Sequence, residues 1–521
     1  MIVMRKFLVT ILALSAIIGA SAQPKLVVNI VVGGLSATDI DRYSSNLSSN
    51  GLLRLKSGGA NFTECYTNFV PTSEQISLAT IATGALPSIH GVSSTRWYDR
   101  TSGNSKVHLC KNSNGEYTTE HFLAPTLSET LRTERALSHT VTIAHNATSA
   151  MNLAGRGGEC YWVDSLGNWS SAACYTKRLP SWINAHNEIG FNRIQTSGSW
   201  FGRLTKSKYI NSRSTDIQIY DLYNKSRNAN NRKNSNDWVA EFMNTPAGNN
   251  ALFDFASKAL NQMVANKELS GVKLLNICLD VSRNIAQRYG TDSIEYEDMI
   301  YRLDGAIESF MKVVESCFPK QQDYLIILTS DHGMGKSDLR GGQNSFNTRQ
   351  AEVILNAFLS AQYGQGSWVL SCENGAIYLN RDLVYAKKLS IAQVQNEAAT
   401  FALQLRGMAN AATATALQGG AMSNLTLSLM QNGFYPRRSG DILYCLQPNY
   451  NEYNPDKIAQ SGSPYNYDRH IPLIFYGGGC PSSNIGRKVS NTAIAVTTAS
   501  LLGIKKPDCA DGEVIYELIN R

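Results

Sequence analysis

The apolar run "LIILTSDHGMG" (Leu325 to Gly335) ends in an acid and an imidazole side by side, Asp331 and His332. At the mouth of a buried strand this pair reads as half of a metal site, of the kind a zinc hydrolase would hold. A dication needs several anionic or imidazole donors to offset its dehydration, so the pair raises the question of its partners. His108, His121, His139, His145 and His186 show no ligand spacing with one another. None of the ten Cys forms a CxxC pair or a Cys/His cluster. "GRGGE" (Gly155 to Glu159) lacks the Lys-Ser/Thr of a phosphate loop and reads as a tight turn.

The elements that must position such a site follow from periodicity. "KLVVNIVVGGL" (Lys25 to Leu35) is a continuous β-branched run ending in Gly33–Gly34, as in a strand buried on both faces. "TVTIAHN", "VKLLNICLD", "YLIILTSD" and "IPLIFYGGG" read the same way, and "NFTECYTNFV" is strand-like. Helical stretches are expected at about 38–56, at 294–318 and at 391–405. The alternation predicts an α/β fold with a doubly wound, mostly parallel central sheet flanked by helices. In such sheets ligands sit beyond the carboxyl ends of the strands, which singles out Gly33, the Pro71 loop, Asn146, Asp280 to Gln287, Asp331–His332 and the segment at Ser461.

Arg5 and Lys6, the apolar "FLVTILALSAIIGA" and the small-x-small "ASA" form a secretory signal peptide, residues 1–22, cut before Gln23. The mature chain is expected as one domain, 23–521. It would carry a polar surface insertion at about 196–236 and an inserted α+β subdomain at about 342–450. The 521 residues are 43% apolar and 17% charged, with net charge +7. No Lys/Arg run is dense enough for nucleic acid or a membrane surface, and no later segment is long enough to span a bilayer. Ten Cys in an exported chain suggest disulfides, with Cys160–Cys174 and Cys480–Cys509 as candidate pairs.

"PTSEQISLATIATGALPSIHGV" resembles the nucleophile segment of the alkaline phosphatase superfamily, in its type I phosphodiesterase/nucleotide pyrophosphatase-like branch. The periplasmic alkaline phosphatases of Bacteroidota are similar. "RWYD", "CYWVDSLGNW", "IEYEDMIYRLD", "TSDHGMG", "GFYPRRSGDILYCLQPNY" and "GSPYNYDRHIPLIFYG" extend the resemblance over nearly the whole mature chain. It implies phosphoryl transfer by a Thr or Ser nucleophile between two zinc ions. Residue by residue, the implied site is degenerate. The nucleophile position, three after Pro71, is Glu74, with hydroxyls only at the neighbouring Thr72 and Ser73. The positions implied to hold phosphate are Thr95, Asn146 and Thr148. Of six implied metal ligands, Asp331 and His332 remain, while Gly33, Arg283, Gln287 and Ser461 replace the others. His90 and His470 match structural histidines of the family.

With no catalytic group and no cofactor expected, the leading expectation is a catalytically inactive, exported subunit. It would bind a protein partner in the periplasm or at the outer membrane, and Arg283 would pair with Asp331 and Glu74 where zinc once sat. A second reading is a metal-dependent phosphatase or phosphodiesterase rebuilt around Asp331 and His332, with Glu74 or Asp280, and zinc as its cofactor. A third is a periplasmic ligand-binding protein using Arg283, Trp97 and Trp162; core packing is the simpler role for both tryptophans.

Overall fold

The computed structural model describes residues 23–100, 104–194, 200–211, 241–335 and 344–519. The signal segment 1–22 and most of the polar stretch 196–236 lie outside the described residues. The strands used below are β1 (Leu26–Val32), β2 (Ala60–Tyr66), β3 (His139–Ala144), β4 (Glu159–Val163), β5 (Trp169–Ser170), β6 (Lys273–Leu279), β7 (Tyr324–Thr329), β8 (Val369–Glu373), β9 (Ala376–Leu379), β10 (Met408–Thr413), β11 (Ile442–Leu446), β12 (His470–Gly477), β13 (Ser483–Ile485) and β14 (Val489–Ser490).

The central sheet runs β13-β2-β12-β7-β1-β6-β3-β4-β5, with β14 beside β2. Its middle, β7-β1-β6-β3-β4, is parallel throughout. β12 is antiparallel to both β2 and β7, and β5 is antiparallel to β4, so the sheet is mixed. "IPLIFYGGG" is therefore a buried strand, but one running against its neighbours.

Period-two alternation divides the sheet between two cores. Val27 and Val31 of β1, Leu274 and Cys278 of β6, and Leu325 and Ile327 of β7 enter one. Leu26, Val28, Ile30, Leu275, Ile277, Ile326 and Leu328 enter the other. Helices α1 (Glu74–Thr83) and α2 (Ala147–Ala154) pack on the first face through Leu78, Ile81, Met151 and Leu153. Helix α4 (Ile294–Cys317) covers the second through Met299, Ile300, Ile307 and Phe310, with α3 (Val281–Tyr289) just before it in the chain. Both faces are covered, which is why these strands read as unbroken apolar runs.

The helix expected at 38–56 is interrupted. It forms Asp39–Arg42 and Leu52–Gly58, with a 3-10 turn over Ser44–Asn46 between them. The carboxylate of Asp304 on α4 accepts from the backbone N–H of both Ser48 and Leu52, each at 2.7 Å. A tertiary partner thus satisfies N–H groups that a continuous helix would have bonded internally.

β8, β9, β11 and β10 form a separate four-stranded antiparallel sheet with its own apolar cluster, including Trp368, Leu355, Leu359 and Val394. Neither Cys160–Cys174 nor Cys480–Cys509 is bridged by a disulfide. Cys160 is buried in the core on β4, while Cys174 is exposed beyond the following strand. Among the described residues no helix is long and apolar enough to cross a membrane.

Candidate active site

Parallel register sets the site. Val32 lies opposite Leu279 and Val31 opposite Thr329, so β1, β6 and β7 end at one edge. The residues that follow, Gly33, Asp280 and Asp331, meet there, with Asn146 just beyond the end of β3. Over this edge lies a cleft of about 700 Å³, lined by Asn146, Arg283 and His332 with Glu74 at the start of α1, Thr95 and Arg96, and residues of the 444–468 segment; Asp280 and Asp331 are buried beneath it.

The centre of that edge is occupied by the guanidinium of Arg283, projected from the first turn of α3 and buried. Its Nη1 donates to Asp331 Oδ2 at 2.8 Å. Its Nη2 lies 3.0 Å from Glu74 Oε1 and 3.0 Å from Asp280 Oδ1. Gly33 makes the space: a Cβ there would stand 2.9 Å from Arg283 Nη1. Gly34, at φ +70°, turns the chain so that its N–H donates to Asp331 Oδ1 at 2.8 Å.

Each carboxylate has a further neutral donor. Asp280 accepts from Asn146 Nδ2 at 2.6 Å, and Glu74 accepts from the Ser149 hydroxyl. Asp331 also accepts from the N–H of His332 at 2.7 Å. Burial opposes ionisation of Asp331, but His332, Arg283 and these two N–H groups outweigh it and hold its carboxyl below the usual range. At Glu74 burial dominates and pushes the carboxyl up. Arg283, facing three carboxylates, stays charged.

His332 is buried, with Nδ1 2.7 Å from the Gly333 carbonyl. A carbonyl only accepts, so Nδ1 carries a proton, and Nε2 is the ring nitrogen that faces Ser461 and Asp331. Nε2 lies 3.2 Å from Ser461 Oγ and 3.7 Å from Asp331 Oδ2. The Ser461 loop is fixed from both sides. Gly462 N–H donates to Thr72 Oγ1, whose hydroxyl donates to the Ser463 carbonyl, both at 3.1 Å. Ser463 N–H donates to Asp468 at 2.9 Å. Burial pushes Asp468 up to about 7.

Sequence comparison places Glu74, Arg283, Asp331, His332, Gln287, Ser461, Thr95 and Asn146 around this cleft, and the structure shows what each does there. Asn146 caps α2 by accepting from Ser149 N–H at 2.9 Å and steadies Asp280. The Gln287 carbonyl accepts from Ile458 N–H at 2.8 Å, tying α3 to the Ser461 segment. Thr148 does not line the cleft. Trp97 and Trp162 are buried in the core; Arg438 stacks over Trp97 at 4.4 Å, and neither ring reaches the cleft. His90 is also buried, held by Thr80 and Val92 N–H at 3.0 and 3.1 Å. His470 stacks on Tyr66 and meets the Thr63 carbonyl at 2.7 Å.

Residue reading missed three contributors: the Ser461–His332 contact, Ser149 behind Glu74, and Lys457. Lys457 lines the cleft, forms no ion pair among the described residues, and has its pKa lowered by burial and then by Arg283. Only Ser149 left a local signal, as the third residue after an Asn in helix-capping position.

The zinc implied by the family resemblance does not fit these residues. Gly33, Arg283, Gln287 and Ser461 contribute neither anionic nor imidazole donors, and a fixed cation already engages Asp331, Asp280 and Glu74. Among the described residues no group of three or more His, Cys, Asp and Glu could hold a metal ion.

A mixed α/β sheet with its cleft at the carboxyl ends of β1, β6 and β7 is the architecture of the alkaline phosphatase superfamily. The chain belongs to the type I phosphodiesterase / nucleotide pyrophosphatase family, whose model matches residues 27–464. It is 26% identical over 550 residues to the alkaline phosphatase PafA of Elizabethkingia meningoseptica, covering 100% of both chains. It is 23% identical to the alkaline phosphatase PhoV of Synechococcus elongatus, over 96% of this chain and 93% of that one. The crystal structure of wild-type PafA superimposes with a TM-score of 0.85 over 95% of this chain and 99% of that one, at 24% identity.

These relatives overturn the expectation of a catalytically inactive subunit. Proteins matching the chain over nearly its whole length are named as alkaline phosphatases, and its family is one of phosphoric ester hydrolases.

Proposed function

We propose that this exported chain hydrolyses phosphoric esters in the cleft at the strand ends, with a site rebuilt around His332 and Asp331. The observation that carries the reading is the 3.2 Å contact between Ser461 Oγ and His332 Nε2 within the family's cleft. A hydroxyl beside an oriented imidazole is the minimal activated nucleophile. Ser461 gives its proton to His332 Nε2 as its oxygen bonds to phosphorus. The ester P–O bond breaks, and the leaving oxygen takes that proton. Water then hydrolyses the phosphoseryl ester, releasing phosphate and restoring Ser461. Asp331, 3.7 Å from Nε2, stabilises the transient imidazolium. Lys457 supplies the cation for the phosphoryl oxygens. A signal-peptide-like N-terminus supports export.

The test is hydrolysis of aryl phosphate monoesters and diesters by the purified mature chain, beside His332→Ala. The reading expects turnover that His332→Ala abolishes. Absence of turnover on both ester classes, with and without added divalent ions, would sink it.

A further inference from the structure

We infer that the Arg283 guanidinium stands in for the family's metal ions as the fixed positive charge of the cleft, so that the fold holds its strand ends together without a divalent cation. Three carboxylates from separate elements converge on it: Glu74 from α1, Asp280 after β6 and Asp331 after β7, at 3.0, 3.0 and 2.8 Å. Left unpaired, these buried carboxylates would repel one another. One guanidinium cannot balance three full charges. Each carboxylate therefore has its own additional donor: Asn146 for Asp280, Ser149 for Glu74, and the N–H groups of Gly34 and His332 for Asp331. A planar fork with several donors suits this task, since it can face separate carboxylates in one plane.

The exchange is coupled in the sequence. An acidic ligand after β1 would start with a Cβ 2.9 Å from Arg283 Nη1, and Gly33 has none. A side chain at 33 and the guanidinium of Arg283 thus compete for one space. With the guanidinium removed, the carboxylates of Glu74, Asp280 and Asp331 lose the one cation they share. The inference concerns metal requirement and does not depend on turnover, so its test is read by metal content and melting.

The mature wild-type chain is expected to purify with far less than one zinc per chain by elemental analysis. Its Tm should be unmoved by chelator or by added zinc. Arg283→Ala should melt roughly 5–10 °C lower in chelator. Arg283→Lys, which keeps a charge but loses the fork, should melt between the two and take up no zinc; it also serves if Arg283→Ala fails to fold. Stoichiometric zinc in the wild type, or a wild-type Tm that drops on chelation, overturns the inference. So does an Arg283→Ala chain that melts like wild type.

Discussion

Gly33 and Arg283 share one space: a Cβ at 33 would stand 2.9 Å from the guanidinium that fills the centre of the strand ends and 3.1 Å from the Leu279 carbonyl. Gly33→Ala should therefore destabilise the fold by about 1–3 kcal/mol, the usual cost of overpacking. In Arg283→Ala the same change should cost less, because the nearest contact, Arg283 Nη1, is gone, although the Leu279 carbonyl remains at 3.1 Å. A double-mutant cycle by chemical denaturation measures this coupling. Additive effects would show that the two positions are independent.

Removing the Ser461 hydroxyl should abolish the proposed nucleophile while leaving the loop in place, since Gly462 and Ser463 anchor it through backbone groups. Ser461→Ala is expected to lower kcat by at least about a hundredfold with little change in Tm. Steady-state kinetics on an aryl phosphate checks this. An unchanged kcat would remove Ser461 from the reaction.

Lys457 faces the cleft and forms no ion pair among the described residues. Lys457→Met should raise KM roughly tenfold, about 1.4 kcal/mol of lost anion binding, with a smaller effect on kcat. The KM-against-kcat split is the readout. A KM equal to wild type would mean that other groups hold the phosphoryl oxygens.

Buried Asp468, raised to about 7, and buried Asp39, raised to about 6, are both easier to protonate in the fold than in the unfolded chain. A raised folded pKa contributes stability that is full at low pH and is lost as pH rises through the folded value. Between an ordinary aspartate pKa and about 7, these groups should make stability fall with rising pH. Asp468→Asn should flatten that slope, by on the order of 2 kcal/mol across the window. Urea unfolding at several pH values tests it; an unaltered slope would mean that Asp468 ionises normally.

The sequence alone carried the fold. The runs at β1, β6 and β7 are mostly apolar and are closely followed by Gly or Asp, because strands covered on both faces bury nearly every side chain; Asn29 and Asn276 are buried polar exceptions. Local patterning also placed the glycine, acid and histidine positions at strand ends. It did not reveal that β12 runs antiparallel, since strand direction leaves no mark on periodicity. Nor did it show that Asp304, more than 250 residues away in the chain, holds the loop at Ser48 and the start of the helix at Leu52.

At the site, the sequence determined which residues stand where ligands of the family stand, and so that Arg283 and Gly33 replace them. Only tertiary structure decided what those replacements make. Ser461 and His332 are 129 positions apart, and Arg283 meets Glu74 across 209. Neither spacing predicts contact. Parallel register brings the strand ends to one edge, and loops tied down through Thr72 and Asp468 set the hydroxyl against the imidazole. A position-by-position comparison sees each loss separately. The packed molecule shows that the losses share one space, which a guanidinium and a hydroxyl–imidazole pair now fill.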